Sequence, residues 1–132
     1  MEQAIRNINN MSKELDRILD QLEKLSLSLK FEQQLLRTPL NKIIADLESM
    51  VDLEYDAALI KDGNYSTALN DLTFTDQFFD LVISHLMHLQ RNTQVKLTRQ
   101  QDALISKINK QLMHVQGSLT LVLNMFDTNT EA

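Results

Sequence analysis

The stretch Glu32–Ile44 reads EQQLLRTPLNKII and holds Pro39, the one proline of the chain. A proline has no N–H to donate, and its ring collides with the carbonyl four residues back, so within a helical pattern it either kinks the helix or opens a new one. The fold turns on which of these happens at Thr38-Pro39. If the helix is kinked there, the apolar positions on both sides belong to one long helix. If Thr38 is an N-cap and Pro39 the first residue of a new helix, the chain is cut into helices of ordinary length.

The surrounding pattern favours continuity. Ile8, Met11, Leu15, Ile18, Leu22, Leu25 and Leu29 recur at alternating steps of three and four, the spacing of a heptad seam. The seam resumes at Leu36, Leu40, Ile43, Leu47 and Met50. Joining the two runs requires Gln33 to take a core slot after consecutive steps of four, a stutter that locally unwinds a supercoil.

The next strong break is Lys61–Tyr65, KDGNY, where Gly63 can adopt the left-handed conformation that ends a helix and Asn64 tolerates a turn. A second seam follows at Leu72, Thr75, Phe79, Val82, Leu86 and Leu89, with Thr73 and Asp76 resembling a capping pair at its start. It fades through RNTQVKLTRQQD and recovers at Leu104, Ile108, Leu112, Val115, Leu119, Val122 and Phe126. Folding the chain about residue 66 sets the polar stretch Arg91–Asp102 opposite Lys30–Asn41, which predicts a specialised middle layer.

The expected fold is therefore all-α. It is a long antiparallel helical hairpin with helix 1 over residues 3–61, kinked near Pro39, a turn over 62–71 and helix 2 over 72–127. Helices of about 50 residues span roughly 75 Å, and a lone hairpin of that length leaves both seams poorly covered, so a homodimeric four-helix bundle is expected. The alternative is a compact monomeric up-down four-helix bundle, with breaks at Pro39 and near Asn92-Thr93.

Composition narrows the function classes. Without cysteine there is no disulfide, thiolate nucleophile or zinc-thiolate site. A net charge of −5 disfavours a nucleic-acid surface, which needs clustered Lys and Arg. The apolar runs fall short of the roughly 20 residues that span a bilayer, and MEQAIRNINN lacks a basic segment followed by an apolar one. A cytoplasmic location and protein partners are expected, with no membrane and no cofactor.

LRTPLNKII, Leu36 to Ile44, resembles the H-box helix of the dimerisation and histidine-phosphotransfer domain of sensor histidine kinases, whose typical string is His-Glu-Leu-Arg-Thr-Pro-Leu-Asn followed by apolar residues. The resemblance implies a dimeric helical hairpin whose first helix is kinked by the proline. The departures decide the chemistry it implies. The phosphoaccepting histidine of that family falls on Gln34 and its acidic neighbour on Leu35. A carboxamide does not take a phosphoryl group as an imidazole does, and a leucine is no acid-base partner. Two scattered glycines do not form a phosphate-cradling loop. The resemblance thus implies a pseudo-phosphotransfer module on which a receiver domain or a histidine kinase docks, with Gln34, Arg37 and Asn41 on the docking face.

Other residues carry weaker signals. His88 is followed by Arg91 and Asn92, a spacing found in H-box variants, and makes His88 the one candidate phosphoacceptor. His85 and His88 stand three apart but lack the Glu-x-x-His pattern of a metal face, so no metal site is expected, and His114 stands alone. Arg37 is placed to pair with Glu32 or Asp102 across a polar layer. Phe74, Phe78 and Phe79 are expected to pack the hairpin tip beneath Tyr55 and Tyr65, and Phe74 and Phe78 become a docking patch if exposed. The expected function is a non-catalytic interaction or regulatory protein. The alternative is a small acidic helical chaperone or adaptor for a secreted or assembling partner, using Leu and Met grooves, and third comes a histidine phosphotransferase using His88.

Overall fold

The computed structural model describes residues 1–92 and 94–130, with side chains through Asp127 apart from that of Thr93. Among these, the chain is helical and contains no strand: α1 is Glu2–Ser28, α2 Gln34–Met50, α3 Leu53–Lys61, α4 Tyr65–Gln90 and α5 Arg99–Thr130, and a single 3-10 turn, Phe31–Gln33, precedes α2. The all-α expectation holds. The helix boundaries do not: residues 3–61 are three helices, and residues 72–127 belong to two.

The chain reverses nine to ten residues before Pro39. Leu29 (φ −68°, ψ 127°) and Lys30 (φ −83°, ψ 169°) are extended and end α1. Pro39 lies inside α2, neither an N-terminal residue nor a break. The bond it cannot donate is the one to the Leu35 carbonyl. Leu35 is exposed, so solvent can serve that oxygen, which is why the proline is tolerated near the start of the helix.

A second interruption separates α2 from α3. Val51 is extended and Asp52 non-helical, and the Asp52 carboxylate accepts the Tyr55 N–H at 3.0 Å as an N-cap. The seam shifts there: Met50 is exposed, and Val51 and Leu53 are buried in its place. The turn expected over 62–71 is only Asp62–Asn64. Gly63, at φ +83°, donates to the Ile60 carbonyl at 3.0 Å and Asn64 to that of Leu59 at 2.8 Å, which is a Schellman closure. Thr73 and Asp76 accordingly lie within α4 and cap nothing; the Thr73 hydroxyl donates back to the Leu69 carbonyl.

At the far end of α4 the Asn92 carboxamide oxygen accepts the N–H groups of Gln94 and Val95, folding the loop on itself before α5 starts. The expected break near Asn92-Thr93 falls partly outside the described residues, at Thr93.

These reversals make one four-membered ring of antiparallel neighbours: α1 beside α2 and α3, these beside α4, α4 beside α5, and α5 beside α1. Ser26 bonds Asn41, Gln90 bonds Ser106, and Gln101 bonds Ser28, which sets the register. The core is a single cluster running from Ala4 to Phe126, and the predicted seam positions from Ile8 to Leu29 are all buried. In the second seam Ile105 is buried and Leu104 only half-buried. One chain therefore buries both seams, as in the compact alternative, and the reason for expecting a dimer from a thin hairpin falls away. The two polar stretches do meet, but at one end of the bundle, where the chain turns, and not in its middle.

Candidate functional site

Residues 28–33 and 96–101 form the loop end of the bundle. Gln33 opens α2 and Gln101 sits in the first turn of α5, both buried at 4% and 5% exposure. Their carboxamides pair reciprocally: Gln33 Nε2 donates to Gln101 Oε1 at 2.7 Å and Gln101 Nε2 to Gln33 Oε1 at 3.0 Å. The remaining capacity is also used. Gln33 donates to the Lys96 carbonyl and accepts the Lys30 N–H. Gln101 donates to the Ser28 carbonyl and accepts the Thr98 N–H, while Thr98 Oγ1 accepts the Gln101 N–H in a capping box. A buried polar network that is fully satisfied in this way specifies one arrangement of the chain.

The residues expected on a docking face are drawn into the same end. Arg37 is half-buried and pairs with neither Glu32 nor Asp102; its Nη2 donates to the Leu29 carbonyl at 3.1 Å, closing the frayed end of α1. Asn41 Oδ1 accepts the Ser26 hydroxyl at 2.7 Å. Gln34 is exposed and reaches back to the Lys30 carbonyl at 3.3 Å. Two of the three polar side chains thus face α1.

An open groove of about 340 Å³ lined by Leu27, Asn41 and Ile44 lies on that side, and a more apolar one lies on the other side of α2, where it touches α4 more sparsely than other neighbouring helices touch. Between them runs an apolar groove. Its lower part, about 360 Å³, is lined by Ile43, Met50, Phe74, Phe78 and Leu81; its upper part, about 240 Å³, by Pro39, Lys42, His85 and His88, and Asp46 borders both. Along α4 the positions 74, 78, 81, 85 and 88 form a heptad strip, one position removed from the core seam at 75, 79, 82, 86 and 89. Phe79 is fully buried and Phe78 nearly so, while Phe74 is 47% exposed and stacks on Phe78 with centroids 6.2 Å apart. Met50 at 47% and Leu81 at 55% are exposed beside it. On α2, Leu35 shares the helix face of Pro39, Lys42 and Asp46, which line the upper groove, so Leu35 (68%) and Phe31 (89%), in the turn before it, stand exposed beyond the groove's upper end. Tyr65 packs instead on Phe126 of α5, edge to face, and Tyr55 is exposed.

Chemistry-bearing groups are few. His85 and His88 are exposed on the groove wall, and the nearby Asp46 is held by Lys42 at 3.4 Å. His114 is exposed, 3.7 Å from Glu14. Among the described residues no group of three or more His, Asp and Glu could hold a metal ion, and no helix is long and apolar enough to cross a membrane. Among the described residues the one strongly perturbed acid is Asp56 of α3, fully buried. As a carboxylate it has no donor to accept from, and its pKa is pushed up to about 8, first by burial, then by the Asp71 carboxyl beside it and the charge of Asp52. Protonated, it can donate to Asp71. Sequence reading missed it because an acid in the first turn of a helix is ordinarily a solvated partner of the helix dipole.

No family model, no curated protein and no solved structure matches this chain.

Proposed function

We propose that the chain is a non-catalytic helical interaction protein that holds an apolar helical segment of a protein partner in the α2/α4 groove, in the manner of an adaptor or chaperone. The observation that carries this is the second heptad strip of α4. Phe74 and Leu81 face Met50 across a groove backed by the buried Phe78, and large apolar side chains left open together in this way are characteristic of a binding surface. A groove between two helices receives a third through side chains spaced three and four apart, the spacing that lines its own walls.

A second reading, regulatory docking of a receiver domain or histidine kinase on the LRTPLN stretch, is favoured by one observation: Pro39 and Lys42 line the upper groove. Against it, Arg37 donates to the Leu29 carbonyl and Asn41 accepts the Ser26 hydroxyl, so each has a polar group turned to the end of α1.

The test is binding of a fluorescent amphipathic helical peptide with leucine at every third and fourth position, followed by anisotropy. Leu81→Asp is expected to weaken it by about tenfold or more, the loss of one apolar anchor. Met113→Asp, on the exposed side of α5, should leave it unchanged. Equal loss in both variants, or equal binding by both, would count against the groove.

A further inference from the structure

We infer that the α2/α4 face is also where a second copy of this chain docks, each copy inserting Phe31 and Leu35 into the lower groove of the other. This rests on the reading of that face as a docking site and names a competing occupant for it. The two ends of the face differ in shape. At the loop end Phe31 and Leu35 stand out into solvent, at 89% and 68% exposure. At the opposite end the surface recedes into the cavity of about 360 Å³ walled by Met50, Phe74, Phe78 and Leu81. A two-fold axis crossing the face near Pro39 and Lys42 brings the protruding end of each copy onto the recessed end of the other, and the contact closes because the same patch serves on both sides.

Polarity agrees with this arrangement. The knob side chains Phe31 and Leu35 and most of the lower groove's lining are apolar, and the stretch between them, where the axis passes, carries His85, His88 and the Lys42–Asp46 pair, so the lysine there is already compensated within its own copy. Area agrees as well. Phe31, Leu35, Met50, Phe74 and Leu81 together leave on the order of 500 Å² of apolar surface open, which with a polar rim approaches the roughly 800 Å² per partner of a stable interface. The loop end is also rigid enough to present the knob. Phe31 begins the 3-10 turn whose last residue, Gln33, is clasped by Gln101.

Light scattering on the full chain at tens of micromolar should give twice the 15.2 kDa of one copy. Phe31→Asp, which removes the knob, and Leu81→Asp, which spoils the hole, should each give a single copy with unchanged helical circular dichroism. An equimolar mixture of the two variants should recover more dimer than either alone, because one knob of Leu81→Asp then meets one intact hole of Phe31→Asp. The amphipathic peptide should dissociate the wild-type dimer. A wild-type chain of 15.2 kDa, a dimer insensitive to both substitutions, or a mixture no more associated than its components would overturn the inference. A monomer that still binds the peptide, with the loss in Leu81→Asp, would leave the groove as the partner site and remove only the second copy. Phe31 lies outside the groove lining, so Phe31→Asp should retain peptide binding in either case.

Discussion

Burying a carboxyl next to another carboxyl ties stability to pH. Asp56 has no donor in its surroundings and has Asp71 and Asp52 as its charged neighbours, so its folded pKa stands at about 8 against 3.8 when free. Between these values the folded chain holds a proton that the unfolded chain has released. The stabilising effect of that proton is complete below about pH 4, and stability falls as pH rises towards 8, then levels off. Asp56→Asn keeps the shape, supplies a donor to Asp71 and removes the titration. The variant is expected to exceed the parent by about 1–3 kcal/mol at pH 9 and to match it near pH 4, read from urea unfolding at several pH values. Parallel pH profiles of parent and variant would show that Asp56 is ionised without penalty. Nothing in DLEYDAALI marks Asp56 as buried. Its place on the inner face of α3 follows from the break at Val51–Asp52, which rotates that helix relative to the seam that precedes it.

Among the elements, the loop end shows how much a local pattern can carry. The stutter in the first seam puts Gln33 in a core slot, and the structure buries it there. Its partner Gln101 is 68 residues away, and no local spacing brings them together. Because each carboxamide gives one N–H to the other's oxygen, removing one leaves the other a buried donor short of its partner. Gln33→Ala and Gln101→Ala are each expected to cost about 1–3 kcal/mol in denaturant unfolding, and the double variant less than the sum. Strict additivity would mean that the two amides do not act as a pair. Pro39 misleads for the complementary reason. Its effect on a helix depends on whether the carbonyl it leaves without a donor is dry, and Leu35 is wet.

At the scale of the whole molecule the same seams satisfy two folds. A long hairpin pair and a single-chain bundle bury the same residues, and the choice rests on where the backbone turns. Function at this scale is set by what the bundle leaves open. No hydrogen bond among the described residues orients His88, and the one acid near it, Asp46, is engaged by Lys42. Incubation of the full chain with phosphorylated receiver domains, or with a kinase and ATP, is therefore expected to leave no acid-labile phosphohistidine. Label that disappears in His88→Ala would overturn this and favour a phosphotransferase.

What the sequence determined by itself was the helical class, the membership of both seams apart from Met50 and Leu104, the Gly63 turn and the slot of Gln33. All of these follow from side-chain periodicity and backbone preference within a few residues. Only the tertiary structure decided the reversal at Leu29–Lys30, the Gln33–Gln101 clasp, the burial of Asp56 and the opening of the α2/α4 groove. The reason is that a heptad pattern says which residues leave water but not which neighbours receive them. That depends on contacts between segments far apart in the chain, and on which backbone groups find partners where the helices end.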